Sequence, residues 1–320
     1  MLLRVMFFPL VCFSLVVAIQ KAVAQDKPVS QKEGTTISEQ VPAAQEEWNP
    51  PSAGPITTWT ALLCGKGNFV IQPFFFYNHT RGEFDAKGHY TPLPKGDKEY
   101  QSQEQLFLQY GILDWLEIDA QTVYQENYIK QGGVTTHANG FGDSYLFLRG
   151  RIVEEKGWLP YVTGLFQLKM PTGKYQHEDS EKLGADLMGT GSWDPGFGLI
   201  VTKKIKPFIF HADVTYSFPQ RVSINGIKTR YANYLNCDFA VEYFLPKGFN
   251  IMLESNAFFQ GDMKEDGVRI PHSAVKYLII SPAIGWSCDK LQILLGYQRV
   301  VMGTNTDAND SVALTCVYTF

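Results

Sequence analysis

The chain has 320 residues, a formal net charge of −4 at pH 7 and 14% aromatic residues. This length suits one large domain or two small ones. The excess of 32 acidic over 28 basic side chains argues against nucleic acid as a partner. Mean hydropathy is only −0.13 despite the many aromatic residues, because those residues stand at alternate positions and not in apolar runs.

The first 24 residues have the pattern of a secretory signal peptide. Arg4 precedes an apolar run from about Val5 to Ile19, and the stretch ends in the small residues of Ala22–Ala24. The run is short for a transmembrane helix, so we expect cleavage before Gln25. An uncleaved membrane anchor is the alternative.

Residues 25–66 are polar, rich in proline and aperiodic. This composition predicts a flexible periplasmic segment ahead of a domain that spans residues 67–320. Four cysteines follow the signal peptide, and none has the spacing of a metal site. A disulfide between Cys64 and Cys288 is compatible with an oxidising compartment. No motif calls for a cofactor.

From Asn68 onward, segments of about 10 to 14 residues alternate between apolar and polar or small side chains, which predicts β-strands with one apolar face. In one of them Phe208 and Phe210 share a face, and His211 lies on the other. Twelve strands are predicted, at 68–79, 101–112, 115–127, 141–153, 158–170, 194–203, 207–218, 232–245, 249–260, 276–287, 291–301 and 311–320.

The connections between these strands alternate in length along the chain. The short ones lie near 113–114, 154–157, 203–206, 246–248 and 288–290. The long ones lie near 80–100, 128–140, 171–193, 219–231, 261–275 and 302–310. Alternating strands alone also fit a soluble β-sandwich. Tight turns at one end and long loops at the other are typical of bacterial outer-membrane barrels, and such a barrel must close in hydrocarbon.

The fold class predicted is therefore all-β, a transmembrane antiparallel up-and-down β-barrel of about twelve strands in the bacterial outer membrane. Outer-membrane lipid and lipopolysaccharide are then its surroundings. The chain ends with Tyr318 and Phe320 on an alternating strand. This ending resembles the carboxy-terminal signal that the barrel-assembly machinery reads, which makes that machinery an expected partner.

Three stretches carry a resemblance to a known family. They are "GFGDSYLFLRGRI" (140–152), "LPYVTGLFQLKMPTGKY" (159–175) and "GTGSWDPGFGLIVTKKIKPFIFHADVTYSF" (189–218). The chain resembles the transporter-like outer-membrane barrels named for the MetA pathway of phenol degradation. The resemblance implies an outer-membrane location and passage of small aromatic or hydrophobic molecules.

Charged side chains in mid-strand fall on the polar phase, which predicts that they face the lumen. Counting residues across the hairpins pairs Asp119 with Arg149 and Glu117 with Arg151, and brings His211 to Asp238. Such pairs either form a solute-selective constriction or neutralise each other and fill the barrel. The candidate lumen residues are Glu117, Asp119, Arg149, Arg151, Lys169, His211, Asp213 and Asp238.

A His–carboxylate pair is one component of a hydrolase site, but no nucleophile motif accompanies it, so no enzymatic activity is expected. We expect a channel or transporter-like barrel that passes or binds a small solute by passive diffusion. Inward-facing aromatic residues, among them Phe74, Tyr145 and Phe258, narrow the lumen. The alternative is a closed structural or adhesin-like barrel that uses its extracellular loops 80–100 and 171–193 as a binding face.

Overall fold

The computed structural model describes residues 48–320, and residues Asn49–Phe320 form one compact unit. The predicted signal peptide and residues 25–47 lie outside the described residues. No helix within the described part is long and apolar enough to cross a membrane.

Twelve long β-strands make up the barrel, as the alternating pattern predicts. They are β1 Phe69–Phe84, β2 Lys98–Leu113, β3 Leu116–Gln131, β4 Ser144–Val153, β5 Tyr161–Met170, β6 Asp194–Ile205, β7 Phe208–Ser217, β8 Tyr234–Phe244, β9 Phe249–Gln260, β10 Val275–Cys288, β11 Leu291–Thr304 and β12 Thr306–Thr319. Each pairs in antiparallel fashion with its neighbours in the sequence.

The sheet closes through β12 and β1, which pair from Val70 with Thr319 to Phe84 with Thr306. Closure leaves no strand edge unpaired, a requirement in hydrocarbon. The terminal Phe320 donates its N–H to the Phe69 carbonyl at 2.9 Å, and its ring centroid lies 4.7 Å from that of Tyr318. The predicted all-β barrel of the outer membrane is confirmed, while recognition of Tyr318 and Phe320 by the assembly machinery stays a prediction.

The two faces of the sheet differ in the way that a barrel wall requires. On β11, Leu294 faces inward and is fully buried, and its neighbour Leu295 is 46% exposed on the outer surface. The buried positions of other strands carry Glu117, Thr202 and Glu254. Apolar side chains therefore face lipid and polar ones face the lumen.

The last connection differs from the prediction. A long loop is expected at 302–310, but β11 and β12 continue through this range and turn at Asn305. Asn305 adopts a positive φ of 48°, a conformation that asparagine tolerates in tight turns. Its side-chain amide donates to the carbonyls of His272 and Ala274 at 2.7 Å each, so the turn is held by the neighbouring loop.

Four of the other five long loops carry short strands of their own, and the loop at 171–193 does not. Val134–Phe141 pairs with β3, and a separate four-stranded sheet joins Val222–Ile224, Ile227–Arg230, Lys264–Glu265 and Val268–Arg269. A 3₁₀ turn at Pro246–Gly248 forms the short connection between β8 and β9. In the long loop after β1, Tyr90–Pro92 pairs with β1. The long-loop end of the barrel is thus an ordered surface.

The prediction of a flexible periplasmic segment is wrong for its described part. Residues 49–66, here called the plug, run inside the barrel and not outside it. Ile56 is only 5% exposed and Ala61 only 1%. The Cys64–Cys288 disulfide is not formed.

A charge on the outer face is expected to cost far more stability than the same charge in the lumen. Leu106 and Gln105 are neighbours in the middle of β2, with Leu106 exposed on the outer face and Gln105 beside the lumen cavity described below. We expect Leu106→Lys to lower the free energy of unfolding by about 2–4 kcal/mol. Urea unfolding in lipid vesicles measures the loss, and Gln105→Lys is the matched control; equal losses for both variants would contradict the facing assigned here.

Candidate functional site

The plug forms a loop that rises into the lumen and returns. At its start, Lys204 Nζ at the end of β6 donates to Asn49 Oδ1 at 2.7 Å. At its end, the Lys66 N–H donates to Asp114 Oδ1 at 3.2 Å in the short turn between β2 and β3. Between these points it reaches Glu254, the sixth residue of β9. Both arms of the plug therefore lie at the short-turn end, and its tip lies near the middle of the barrel.

Glu254 holds the tip of the plug through backbone donors. Its Oε1 accepts the Ile56 N–H at 2.9 Å. Its Oε2 accepts the N–H groups of Thr57 at 3.0 Å and Thr58 at 2.9 Å, together with the Thr57 hydroxyl at 2.9 Å. The Glu254 side chain is fully buried, and within residues 48–320 its hydrogen bonds come from the plug. Four donors compensate a buried carboxylate that lacks a basic partner.

Other wall residues bind the plug backbone in the same way. Each supplies a side-chain atom to a main-chain group that the extended plug cannot pair within itself. The contacts are Ala53 N–H to Gln292 Oε1 at 2.7 Å, Trp59 N–H to Asp213 Oδ2 at 2.9 Å, Ala61 N–H to Thr202 Oγ1 at 2.8 Å, Cys64 N–H to Glu117 Oε2 at 2.6 Å, and Thr163 Oγ1 to the Ala61 carbonyl at 2.7 Å.

Two apolar side chains of the plug add packing to these bonds. The Trp59 ring meets Phe107 and Phe147 edge-on, with centroids 5.7 and 5.0 Å apart. Ile56 packs beside Gly296 of β11, where a Cβ atom would lie 2.6 Å from Ile56 Cδ1. The absence of a side chain at Gly296 thus makes room for the tip.

Arg149 on β4 joins the wall to the plug. Its Nε donates to Asp119 Oδ2 at 2.8 Å, its Nη2 donates to Glu117, and its Nη1 donates to the Thr60 carbonyl at 3.0 Å. The guanidinium also lies over the Trp59 ring, 5.0 Å from the centroid. One buried cation therefore pairs with two carboxylates and binds the plug.

The predicted register between β3 and β4 is wrong. Glu117 stands opposite Arg149, and Asp119 stands opposite Phe147. The connection contains Val134–Phe141 paired with β3, so counting through it gives no reliable register. Arg151 is left at the barrel end with its side chain 27% exposed, and its ion pair is with Glu154 at 3.5 Å.

His211 on β7 binds Glu242 and not Asp238. The His211 Nε2 to Glu242 Oε1 distance is 2.8 Å, and both side chains are fully buried. The register pairs His211 with Ala240 and Asp213 with Asp238, so the predicted His211–Asp238 contact would need a shift of two residues. Glu242 also accepts the Ser52 hydroxyl of the plug at 2.9 Å.

Lys169 lies higher in the lumen, away from the Arg149 cluster. Its Nζ is 2.6 Å from Asp194 Oδ2 and 3.6 Å from Asp143 Oδ2, and it also bonds the Thr190 hydroxyl. Of the predicted site residues, the structure thus brings Glu117, Asp119 and Arg149 together and places Asp213 opposite Asp238. No group of three or more His, Cys, Asp or Glu side chains in the described part is arranged to hold a metal ion.

The plug divides the lumen into two cavities. The outer cavity, of about 540 Å³, lies between the plug residues Pro55–Thr60 and the long-loop end. The inner cavity, of about 610 Å³, lies toward the short turns and is bounded by the two arms of the plug. Aromatic wall residues of the outer cavity include Phe74, Phe76, Phe107, Tyr145, Phe147 and Phe258.

Amide side chains stand among these aromatic residues, including Gln72, Gln105, Gln121 and Gln167. The cations at the edge of the outer cavity, Arg149 and Lys169, are each paired with carboxylates. The wall therefore offers apolar contact and neutral hydrogen-bonding groups. The predicted inward position of Phe74, Tyr145 and Phe258 is confirmed.

Sequence reasoning missed Glu242 and Glu254 as site residues and missed the plug entirely. Both glutamates occupy the polar phase of their strands, and Glu254 has no basic residue opposite it: its strand neighbours are Ala240 and Ser281. Glu254 is thus a mid-strand carboxylate on the lumen face with no basic residue opposite it in the sheet. That pattern could have predicted hydrogen-bond donors from a segment inside the barrel.

The two arginines are expected to differ sharply in their effect on stability. Arg149→Ala leaves two buried carboxylates without their cation, so we expect it to lower the free energy of unfolding by about 3–5 kcal/mol. Arg151→Ala removes a solvent-screened pair and should cost less than about 1 kcal/mol. Urea midpoints of the refolded barrel measure both, and equal losses would contradict the register described above.

Amide exchange tests the role of Glu254 directly. Glu254→Ala leaves three backbone N–H groups of Ile56–Thr58 without acceptors, at an expected cost of about 2–4 kcal/mol for keeping the tip docked. Hydrogen–deuterium exchange of the plug should then accelerate roughly 30- to 1,000-fold. Glu254→Gln retains an acceptor oxygen and should show a smaller change, whereas unaltered exchange in Glu254→Ala would contradict this anchoring.

Comparison with known structures finds matches of different strength. An outer-membrane channel from Pseudomonas putida F1 matches with a TM-score of 0.68 and 14% identity over 80% of this chain and 96% of that chain. The NanC porin matches with a TM-score of 0.48 and 9% identity over 78% and 98% of the two chains. The translocator domain of the autotransporter NalP from Neisseria meningitidis has a TM-score of 0.44 and 12% identity over 80% and 89%.

No curated protein sequence matches this chain closely. A family model matches residues 65–315, which covers the barrel from the end of the plug into β12 and confirms the resemblance carried by residues 140–218. The chain therefore belongs to the outer-membrane barrel family described as "Putative MetA-pathway of phenol degradation".

Proposed function

We propose that this protein is a plug-gated channel for a small solute. The solute enters the outer cavity, and it reaches the periplasm when the plug leaves the lumen. The observation that carries the proposal is a single lumen divided into two cavities by a segment of the same chain. A neighbour of the same fold is an outer-membrane channel, which supports the general class by analogy of fold.

The plug is held by contacts that can open separately from the barrel. The strands pair with one another around the whole circumference, so their ladder does not include the plug. The plug is bound by hydrogen bonds to side chains, and each such bond contributes only about 0.5–1.5 kcal/mol net, since water can replace it, or about 1.5–3 kcal/mol where a charged group takes part. Segments of this kind open at lower free energy than the surrounding sheet.

The lining of the outer cavity favours a solute with an aromatic or hydrophobic part and hydrogen-bonding groups. Aromatic rings such as Phe147 supply apolar contact, and amides such as Gln121 supply donors and acceptors. Passage down a concentration gradient needs no further energy source. In the plugged state Trp59 and Arg149 stack across the lumen in the way of such diffusion, so we tie passage to release of the plug.

A single substitution to proline tests whether the plug acts as a gate. Thr58→Pro removes the N–H that Glu254 accepts and restricts the residue before it. We expect planar bilayers with this variant to show discrete channel steps far more often than the natural protein. Thr58→Ala keeps the N–H and is the matched control, so it should behave like the natural protein.

The alternative function is a closed barrel that acts through its extracellular loops. It predicts that the natural protein, Thr58→Pro and Thr58→Ala all show no channel steps in planar bilayers, although each migrates as a folded, heat-modifiable barrel on gels. That result would contradict the gate and would move attention to the ordered loop sheet at residues 222–269.

A further inference from the structure

The lumen wall at the tip of the plug carries three carboxylates without a basic partner. They are Asp213 on β7, Asp238 on β8 and Glu254 on β9, here called the acidic trio. Asp213 and Asp238 stand directly opposite each other. In the part of the chain that the structure describes, none of the three forms an ion pair with a lysine, arginine or histidine nitrogen. The other lumen acids differ, since Arg149 pairs with Glu117 and Asp119, and His211 with Glu242.

Backbone N–H groups of the plug take the place of basic side chains as partners of these carboxylates. Glu254 accepts three of them, and Asp213 accepts the fourth, from Trp59. The second oxygen of Asp213 is buried and has no hydrogen-bond donor among the described residues, and the residue is only 6% exposed. Glu254 and Asp213 are therefore built acceptors whose present ligand is a run of N–H donors from the chain itself, and Asp213 keeps one acceptor atom without a donor. Asp238 adds a third carboxyl group opposite Asp213.

Release of the plug leaves the acidic trio without these N–H donors. The four N–H donors leave with the plug, while the trio stays on the rigid strands. Water that enters hydrates the three carboxyl groups, and hydration favours the ionised form of a carboxyl group. Negative charge in a narrow lumen with low-dielectric walls attracts cations and repels anions. A ligand that replaces the plug at this site must itself bring donors or positive charge.

We propose that the open lumen is selective for cations and that its preferred solutes are small amines with an apolar or aromatic body. The apolar body suits the aromatic wall of the outer cavity, and an ammonium group offers three N–H donors to the trio. This inference rests on the proposed gate and adds the substrate class to it. It also gives the solute a role in opening, because an ammonium competes with the plug for Glu254 and Asp213.

Reversal potentials of the Thr58→Pro variant in a KCl gradient test the selectivity. We expect potassium to permeate more than about fivefold better than chloride. In the same background, Asp213→Asn with Asp238→Asn and Glu254→Gln should bring the ratio close to one. Glu178→Gln with Glu181→Gln and Asp266→Asn removes the same charge from exposed loop positions and should leave the ratio unchanged.

The outcomes separate this inference from the gate. A variant that conducts but prefers chloride, or keeps its cation preference without the trio, overturns the inference and leaves the gate standing. A folded Thr58→Pro variant that stays silent overturns both.

Competition for the plug is measured in the natural protein, so it does not depend on how the proline variant folds. Hydrogen–deuterium exchange of residues 56–59 should accelerate severalfold with millimolar phenethylamine. Its neutral and anionic analogues, 2-phenylethanol and 3-phenylpropionate, should have little effect. Equal acceleration by all three compounds, or by none, contradicts recognition of an amine by the trio.

Discussion

The hydrogen bonds between Glu254 and three successive N–H groups of the plug are the interaction on which the interior of this barrel depends. They place the tip of the plug at mid-lumen, and the tip in turn separates the outer cavity from the inner one. They also resolve a problem of the wall itself, since a fully buried carboxylate without a basic partner is costly unless several donors surround it. Wall and plug are thus complementary in charge and in hydrogen bonding.

The need of buried polar groups for partners also explains the other charged residues of the lumen. A barrel in lipid must direct its polar residues inward, and in a twelve-stranded barrel those residues are close enough to need partners. Arg149 donates hydrogen bonds to Glu117, Asp119 and the Thr60 carbonyl. Glu242 contacts both His211 and Ser52 of the plug. The outer cavity differs in proportion, because aromatic rings and amides predominate there and Lys169 is paired with Asp194.

Much of the fold could be predicted because lipid imposes a regular pattern on each strand. Alternation with a period of two predicts all twelve strands and the facing of residues such as Asp119, Lys169 and His211. The pairing of those residues could not be predicted in the same way. A register depends on the conformation of the connections, and a slip of two residues preserves the facing while it changes every partner. For that reason His211 meets Glu242, and Glu117 meets Arg149.

The sequence by itself determined the strand number, the lipid-facing and lumen-facing sides, the outer-membrane location and the family. Those properties reside in local alternation, connection lengths and short motifs. Only the tertiary structure decided that residues 49–66 lie inside the lumen. The plug binds chiefly through backbone N–H groups, which nearly every residue has, and its main acceptor, Glu254, lies 198 residues from Ile56. No local pattern records such a contact, because it forms only when closure of the barrel brings the acceptors around the segment.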